Sequence, residues 1–374
     1  MLPFTRPTLD EADIAAVVDV LRSGWLATGP KLAEFEQALT AYVGGGPDLT
    51  VRAFTSGTAA LEAALLAADI GPGDEVIVPA MSFTATANVV VRVGARPVFV
   101  DVDLHSRNTD VQRIEKALSS KTRAVMPVHF SGLAVDMDPI YDLAGKSRLL
   151  VVEDAAHAIG TTYKGRQIGA SGNPVCFSFH PNKNMTSIEG GAMACSDVRF
   201  RKRVEKIRFH GIERDAAGDI SVTEWGGKSN MPDVSAALGL IQLAKLDGFN
   251  RRRTELAQRY FHSLKDHPLL VKPADGEGHS WHMFCVCIDA KGLGMTRQGI
   301  LAFLRDRGIN AGVHYPAIHT FPLYRQFGYG PGDFPNAEKI GAETLTLPLF
   351  PSMTDADVDQ VCNALHELLF GSTK

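Results

Sequence analysis

Cysteine is scarce in this sequence, and no two cysteines are spaced as a C-x-x-C pair. In a chain of 374 residues, five scattered thiols argue against a disulfide framework and favour a reducing compartment. Cys285 and Cys287 alternate with Val286 in a strand-like run, so we expect both thiols to face one side of that strand. Because no second pair of ligands accompanies them, we expect no metal site.

An excess of one charge and long apolar runs are also missing. The 38 basic and 42 acidic side chains nearly cancel, which argues against binding to nucleic acid or to an anionic membrane. No apolar run approaches the roughly 18 residues of a spanning helix. The segment MLPFTRPTLDEADIAAVV has acidic residues where a signal peptide needs an apolar stretch. We therefore expect a soluble, cytoplasmic protein.

Short apolar runs and helical patterns alternate through the first part of the chain. Thr8 and Glu11 resemble a capping box, followed by an apolar stripe of Ile14, Val17, Val18 and Leu21. Further helices are predicted at 56–68, 84–93 and 137–146, and apolar strands at 75–80, 96–102, 123–128, 148–153, 175–179 and 191–196. This alternation predicts an α/β fold with a mostly parallel sheet covered by helices.

The pattern changes near residue 240. Residues 238–264 predict one long amphipathic helix, or two helices joined at Gly248. After it we predict a strand (281–288), a helix (296–307), a strand (309–313), a proline-rich loop (316–350) and a final helix that starts at Thr354. We interpret the chain as a large α/β domain, residues 1–245, and a smaller C-terminal α+β domain, residues 246–374.

Several side chains with distinct chemistry fall near the predicted carboxyl ends of the strands, where α/β sheets bind ligands. Asp154 follows one strand, Ser178 and Lys183 follow another, and Ser56, Gly57 and Thr58 open a helix whose N–H groups favour an anion. Pyridoxal 5'-phosphate needs an amine, an anion site and an acidic partner for its ring nitrogen. Phe83 could stack on such a ring.

Each of these residues also has an ordinary structural interpretation. Asp154 could cap a helix, Lys183 could be a solvated loop lysine, and Phe83 could belong to the core. Gly57 and Thr58 could simply begin a helix. Taken singly, the residues leave these alternatives open.

The order of the motifs carries a family resemblance. The segments are SGWLATGP (23–30), FTSGTAALEAAL (54–65), GPGDEVIVPAMSFTATAN (71–88), RPVFVDVD (96–103), VHFSGLAVDM (128–137), VVEDAAHAIG (151–160), FSFHPNKNMTSIEGGAM (177–193), NMPDVSAALGLIQL (230–243) and LTLPLFPSMTDADVD (345–359). In these segments the chain resembles the DegT/StrS family of sugar aminotransferases. The resemblance implies the fold type I architecture of pyridoxal-phosphate enzymes.

The resemblance also implies roles by position. Lys183 would form the Schiff base and Asp154 would pair with the ring nitrogen. The other implied cofactor contacts are Gly57, Thr58 and Ser178 at the phosphate, Phe83 on the ring, His157 where many relatives have Gln, and Asn230 reaching the phosphate of the neighbouring subunit. The expected assembly is therefore a homodimer with shared active sites.

Three further segments resemble one subgroup of this family, and this resemblance implies a particular reaction. LPFTRP, HSWHMFCVCID and GVHYPAIHT are similar to segments of UDP-4-amino-4-deoxy-L-arabinose aminotransferases, which act in lipid A modification. This implies that glutamate gives its amino group to a 4-keto pentose nucleotide in a ping-pong reaction through a Lys183 internal aldimine, with 2-oxoglutarate as the by-product. We expect His314, Tyr315 and His319 to bind the sugar nucleotide.

The same residues bear on four alternative functions. Some relatives aminate UDP-, dTDP- or GDP-linked 4-keto-6-deoxyhexoses with similar motifs. A sugar dehydratase of the family would have His in place of Lys183, and an intact Lys183 with Asp154 also argues against a non-catalytic cofactor-binding regulator. A nicotinamide dehydrogenase is disfavoured because no G-x-G-x-x-G turn follows the first predicted strand.

Overall fold

The computed structural model of the protein describes residues 1–371. Its N-terminal part contains the helices α1 (Glu11–Ser23), α2 (Pro30–Val43), α3 (Gly57–Ala67), α4 (Ala85–Arg92), α5 (Val111–Lys116), α6 (Met137–Ser147) and α7 (Val198–Arg208). The strands of this part are β1 (Thr50–Phe54), β2 (Glu75–Pro79), β3 (Arg96–Val100), β4 (Thr122–Val125), β5 (Leu150–Val151), β6 (Glu153–Asp154), β7 (Thr162–Tyr163), β8 (Arg166–Gln167), β9 (Val175–Ser178), β10 (Gly191–Cys195), β11 (Ile212–Arg214) and β12 (Ile220–Val222).

The C-terminal part begins with a long helix and builds a second, smaller sheet. It contains α8 (Asp233–Ser263), β13 (Leu270–Val271), β14 (Phe284–Ile288), α9 (Arg297–Asp306), α10 (Pro322–Arg325), α11 (Pro335–Glu343), β15 (Thr344–Leu347) and α12 (Asp355–Phe370). Short 3₁₀ turns lie at Phe130–Gly132 and Ile318–Thr320. Within residues 1–371, no helix combines the length and apolarity needed to cross a bilayer.

The large sheet confirms the predicted α/β architecture. Its strands lie in the order β3-β2-β4-β5 and β6-β9-β10-β1, and a parallel bridge between Val128 and Asp154 links the two halves. Only β10 runs antiparallel to its neighbours, β9 and β1. Side chains alternate across the sheet: Val76 and Val78 of β2 pack with α3 and α4, whereas Ile77 packs with α6 on the other face.

The small sheet places β14 between β13 and β15 in an antiparallel arrangement. Cys285 and Cys287 face the core of the large domain, and Val286 faces the core of the C-terminal part, as the alternation predicted. All five cysteines are free and buried. Among the described residues, no group of His, Cys, Asp or Glu side chains is arranged to hold a metal ion.

The long segment after residue 232 forms one helix rather than two. The helix α8 continues through Gly248, which is exposed and has no neighbouring atom where a Cβ would lie. Its first half packs against α1 and α2, and it also contacts α12. The division between domains at residue 245 falls inside this helix and stays a prediction.

One expectation for the N-terminal region is wrong. The capping box of α1 is formed by Asp10 and Asp13 rather than Thr8 and Glu11. The Asp10 carboxylate accepts hydrogen bonds from the N–H groups of Ala12 and Asp13, and the Asp13 carboxylate accepts one from Asp10 N–H at 2.8 Å. The predicted helix itself is confirmed as α1, which ends before Gly24, and Ile14 and Leu21 of its apolar stripe are exposed.

The proline-rich region was also predicted incorrectly. Residues 309–313 form isolated bridges, Leu2 with Ile309 and Gly312 with Thr346, rather than a continuous strand. The supposed loop 316–350 contains α10, α11 and β15. Pro322 and Pro335 stand in the first turns of α10 and α11, where a helix needs no N–H donor, so proline begins these helices instead of preventing them.

Candidate active site

One cavity of about 370 Å³ lies at the carboxyl ends of the sheet strands. The first turn of α3, the ends of β6 and β9, and the segment that contains His314 and Tyr315 surround it. Nine of the predicted site residues line this cavity: Gly57, Thr58, Phe83, Asp154, His157, Ser178, Lys183, His314 and Tyr315. The structure therefore brings together residues that are far apart in the sequence.

Lys183 stands in the loop that follows β9. Its backbone N–H donates to His180 O at 2.9 Å, which fixes the loop as a tight turn, and its side chain is half-buried in the cavity wall. Burial lowers the pKa of the Lys183 ammonium to about 8, while the nearby Asp154 carboxylate opposes this shift. Compared with an exposed lysine, the Lys183 amine therefore loses its proton closer to neutral pH.

Asp154 ends β6 and is buried below the cavity. Its Oδ1 accepts a hydrogen bond from Ala156 N–H at 3.1 Å, and its Oδ2 accepts one from the Thr86 hydroxyl at 2.7 Å. Burial raises the pKa of the carboxyl, while these two donors lower it by stabilising the ionised form. A cationic partner in the cavity would lower the pKa of Asp154 further.

The first turn of α3 lies against the end of β9, in a geometry suited to binding an anion. Ser56 caps the helix by accepting a hydrogen bond from Ala59 N–H, which leaves the N–H groups of Gly57 and Thr58 directed out of the helix start. A Cβ on Gly57 would lie 3.0 Å from both Phe177 O and Ser178 Cβ. Glycine thus allows the close approach that puts the Ser178 hydroxyl beside this turn.

Gly191 supports the same turn from the neighbouring strand β10. A Cβ on Gly191 would lie 2.3 Å from Gly57 N and 2.4 Å from the carbonyl carbon of Ser56, so any larger residue must displace the turn. This role could not be predicted from the sequence, because a glycine inside a predicted strand has many possible causes.

The aromatic ring of Phe83 and the imidazole ring of His157 also line the cavity. Phe83 is 53% exposed, and its ring centre lies 5.6 Å from that of Tyr315. His157 is buried, and its Nδ1 accepts a hydrogen bond from Ser131 N–H at 3.3 Å. Burial holds the pKa of His157 well below its usual value, so the ring is neutral and carries its proton on Nε2.

His314 and Tyr315 stand at the wall formed by the C-terminal part. His314 Nδ1 lies 2.7 Å from Thr346 Oγ1, and the ring packs on Phe4 with centres 5.3 Å apart. Burial lowers the pKa of His314 to about 4 and raises the pKa of the Tyr315 phenol, so both groups are neutral at neutral pH. Each can make hydrogen bonds without adding a charge.

Two predicted residues do not line the cavity. His319 is fully buried, its Nε2 lies 3.0 Å from Glu338 Oε1, and its ring packs between Phe99 and Phe334. In this chain, His319 therefore stabilises its loop and does not reach the cavity. Asn230 pairs instead with Lys228 and with the Thr28 hydroxyl, beside the end of β1.

Other residues near the cavity were missed by sequence reasoning. The Thr86 hydroxyl donates to Asp154 and also contacts the Ser82 hydroxyl, but Ser82 precedes α4, so no helical spacing in the sequence predicts this chain. His282 lies with its ring centre 4.5 Å from that of His157. Its Nδ1 faces Asn184 Oδ1 at 3.2 Å, a contact that only the tertiary structure reveals.

The cavity fits pyridoxal 5'-phosphate by the chemistry of its walls. It presents an amine at Lys183, a buried carboxylate at Asp154, and an anion-binding turn at Gly57 and Thr58. The tight packing of Gly57 on Ser178 holds the anion site at a fixed place relative to β9. The exposed ring of Phe83 offers an apolar surface for a flat heterocycle.

Comparisons with known proteins agree with this chemistry. The model of the DegT/DnrJ/EryC1/StrS aminotransferase family matches residues 7–366. Among characterised relatives, the spore coat polysaccharide biosynthesis protein SpsC of Bacillus subtilis (strain 168) is 41% identical over 383 aligned positions, which cover 99% of this chain and 98% of SpsC.

Solved structures extend the similarity to the whole fold. Spr1654 from Streptococcus pneumoniae, described as a sugar aminotransferase and solved in its PMP form, is 31% identical with a TM-score of 0.92, covering 99% of each chain. DesV of S. venezuelae, solved with a ketimine intermediate, is 34% identical with a TM-score of 0.90, covering 100% of each chain. These similarities establish both the fold type I architecture and the cofactor.

Proposed function

The chain belongs to the DegT/DnrJ/EryC1/StrS aminotransferase family as a pyridoxal-phosphate-dependent sugar aminotransferase, and we propose that it transfers the amino group of glutamate to a 4-keto sugar nucleotide. The acceptor that we favour is a UDP-linked 4-keto pentose. The reaction follows a ping-pong order, in which 2-oxoglutarate leaves before the sugar nucleotide binds.

The observation that carries this proposal is the placement of Lys183 and Asp154 in one cavity. The bound cofactor supplies an aldehyde that takes up the amino group and a protonated ring that withdraws electrons. Lys183 moves a proton to and from the substrate carbon as general base and acid, which its lowered pKa of about 8 favours. Asp154 keeps a proton on the ring nitrogen through a charge-assisted hydrogen bond.

The neutral polar groups in the wall favour a sugar hydroxyl as their partner. His314 and Tyr315 offer imidazole and phenol groups, and His157 Nε2 lies 3.5 Å from the Tyr315 hydroxyl oxygen. Among the described residues that line this cavity, Lys183 is the only lysine or arginine. A buried hydrogen bond to one hydroxyl discriminates strongly against sugars that lack it.

A homodimer with shared sites is part of the proposal. Asn230 does not line the cavity of its own chain, and the contact of its Oδ1 with the Lys228 ammonium orients the carboxamide. The neighbouring segment 23–30 exposes Trp25 and Leu26, whose exposed fractions are 63% and 48%. An exposed apolar surface of this kind favours contact with a second subunit, whose cofactor phosphate Asn230 would reach.

The acceptor is tested by comparing kcat/KM for a UDP-linked 4-keto pentose and a UDP-linked 4-keto-6-deoxyhexose, with glutamate as donor. We expect a preference for the pentose and parallel double-reciprocal lines when both substrates are varied. A tenfold preference for the hexose would overturn the pentose assignment and leave the aminotransferase assignment intact. Reaction with dTDP- or GDP-linked sugars alone would overturn the UDP assignment.

A 4-keto-6-deoxyhexose nucleotide is the second candidate for the acceptor. SpsC is named for spore coat polysaccharide biosynthesis, and this name does not restrict the sugar to a pentose. A panel of 4-keto sugar nucleotides that varies the base and the C6 substituent separates the two candidates. Preference for one member of this panel decides which of the two sugars is the acceptor.

A further inference from the structure

A short chain of buried hydroxyl groups leads to the Asp154 carboxylate. Thr86 stands in the first turn of α4 and is fully buried, and Ser82, just before this helix, is 2% exposed. The Thr86 hydroxyl lies 2.7 Å from Asp154 Oδ2, and the Ser82 hydroxyl lies 2.8 Å from Thr86 Oγ1. No other part of the proposed reaction uses these two residues.

The direction of each hydrogen bond follows from counting protons. An ionised carboxylate only accepts, so the single proton of the Thr86 hydroxyl is given to Asp154. Thr86 Oγ1 then has only lone pairs left for Ser82, and Ser82 must be the donor. The order is therefore Ser82 to Thr86 to Asp154, and a donor that itself accepts a hydrogen bond is polarised toward its acceptor.

The two oxygens of Asp154 are held by different elements. Oδ1 is held by Ala156 N–H in its own loop, and Oδ2 is held by Thr86 of α4. The Asp154 backbone is fixed separately, because its N–H donates to Pro127 O at 2.9 Å and its carbonyl accepts from His129 N–H at 3.1 Å. Thr86 is thus the side chain that sets how the carboxylate plane is rotated about this fixed backbone.

We propose that Thr86 is a positioning residue, supported by Ser82, that keeps the Asp154 carboxylate ionised and correctly rotated for the ring nitrogen of the cofactor. This inference rests on the aminotransferase function and adds a residue that acts through Asp154 without touching the reacting atoms. Burial of Asp154 favours its neutral form, so the carboxylate needs the Thr86 donor to remain an effective partner for a protonated ring.

The test compares Thr86→Val, which replaces the hydroxyl by a methyl group of similar size, with Thr86→Ser, which keeps the hydroxyl. In Thr86→Val we expect kcat to fall by roughly 10- to 100-fold, the loss expected for a hydrogen bond to a charged group, with little change in KM for glutamate. Thr86→Ser should restore most of kcat. Ser82→Ala should have a smaller effect of the same kind, because Thr86 can still donate.

A spectroscopic readout without substrate separates this role from a loss of structure. When the ring nitrogen loses its proton, the positive charge near the Lys183 nitrogen disappears, and the pKa of that nitrogen rises. The pH midpoint of the visible absorbance band of the cofactor-loaded protein should therefore shift upward in Thr86→Val. Fluorescence titration of the apo protein should show weaker binding of pyridoxal phosphate.

Thr161→Val provides a matched control. Thr161 is also fully buried, and its hydroxyl bonds Gly132 O and Ser280 Oγ, each at 2.8 Å, rather than Asp154. We expect this variant to change thermal stability without moving the absorbance midpoint. If Thr86→Val folds poorly, Thr86→Ala carries the same comparison with less steric demand.

The outcomes distinguish this inference from the proposed function. A wild-type absorbance midpoint and a wild-type kcat in Thr86→Val would overturn the role of Thr86 alone. Equal shifts in Thr86→Val and Thr161→Val would show a general structural effect and would also overturn it. If the wild-type protein binds the cofactor normally but transfers no amino group to any keto sugar nucleotide, the proposed function fails while the spectroscopic test of Thr86 still stands.

Discussion

At the scale of single residues, the site depends on two buried groups, and hydrogen bonds stabilise the charged form of only one of them. Burial disfavours the charge of Lys183 and also that of Asp154, but the hydrogen bonds from Thr86 and Ala156 stabilise only the Asp154 carboxylate. The lysine thus loses its proton more easily than an exposed lysine, and the carboxylate keeps donors that favour its ionised form. This difference suits a proton-transferring amine beside a carboxylate whose ionised form is stabilised by hydrogen bonds.

Asp154→Asn should retain some cofactor and lose most of the activity. The amide has the same shape but cannot hold a proton on the ring nitrogen, and a hydrogen bond to a charged group is worth roughly 1.5–3 kcal/mol. We expect kcat to fall at least about tenfold, since charge changes most in the transition state. The measurement is steady-state kinetics beside Asp138→Asn, which alters an exposed carboxylate. Near-normal turnover in Asp154→Asn would exclude the assigned role.

The lowered pKa of Lys183 also predicts how the stability of the apo protein depends on pH. The folded pKa, about 8, is below the usual 10.5, so between these values the unfolded state binds more protons and stability rises with pH. Lys183→Met removes this dependence. The free energy of unfolding of Lys183→Met should exceed that of the wild type by the largest amount at pH 7, at most about 3 kcal/mol. This difference should shrink as pH rises from 8 to 10.5.

Urea denaturation of both apo proteins across this pH range measures the difference. Most other titrating groups are shared by the two proteins, so their contributions cancel in the comparison. A difference in the free energy of unfolding that stays constant from pH 7 to pH 10.5 would mean that the pKa of Lys183 is not lowered by folding.

At the scale of elements, the anion site depends on how closely α3 approaches the sheet. Gly191→Ala places a methyl group against the backbone of Ser56 and Gly57 and must displace the first turn of α3. Because this turn would hold the phosphate, we expect affinity for pyridoxal phosphate to fall by roughly tenfold or more. Affinity for pyridoxal, which has no phosphate, should change little.

Gly46→Ala is the control for this substitution, since a Cβ at Gly46 meets no atom within 4 Å. Fluorescence titration of the two variants and the wild type with both ligands measures the effect. Equal losses of affinity for pyridoxal and for pyridoxal phosphate in Gly191→Ala would contradict a phosphate site at α3.

How much of the fold could be predicted depends on where the stabilising contacts of each element originate. The helix α12 was predicted with its cap because Thr354 and Asp357 form a local capping box. The helix α2 was missed because its N-cap, Gly29, has no side chain; the carboxylate of Asp233 instead accepts the N–H groups of Gly29, Lys31 and Leu32. A cap supplied from α8 leaves no local signal.

The same difference between local and distant contacts explains which site residues could be predicted from the sequence. Lys183 and Asp154 were found because they belong to contiguous motifs at strand ends. Thr86 and Gly191 were not found, since their importance lies in contacts with residues distant in sequence. His319 was misplaced because the motif GVHYPAIHT does not reveal that its chain turns inward at Ile318–Thr320 and buries the imidazole against Glu338.

At the scale of the whole molecule, a single chain leaves an apolar surface on the side of α1 exposed. Ile14 and Leu21 on α1 and Trp25 after it are more than half exposed. A surface of this kind is usually covered by a partner, and the proposed homodimer would cover it with a second copy. The same assembly would bring Asn230 to the neighbouring cofactor.

Mixing two inactive variants tests the shared site. We expect Asn230→Ala to be impaired in homodimers, which is measured first. When it is unfolded and refolded with Lys183→Ala, each mixed dimer would contain one site with both substitutions and one site with neither. Random assembly should therefore restore about a quarter of the wild-type activity.

The control is each variant refolded alone, which should stay inactive. Analytical ultracentrifugation of the mixture verifies that dimers have formed. Failure to recover activity, although mixed dimers form and Asn230→Ala is impaired, would contradict the shared site. Full activity of a wild-type monomer at low concentration would contradict it as well.

The proposed mechanism depends above all on a covalent bond between Lys183 and the cofactor. Borohydride reduction of the protein loaded with pyridoxal phosphate makes this bond permanent, and peptide mapping by mass spectrometry then locates it. We expect one pyridoxyl group per chain, on the peptide that contains Lys183, and none after reduction of Lys183→Ala. A pyridoxyl group on any other lysine, with Lys183 unmodified, would contradict it.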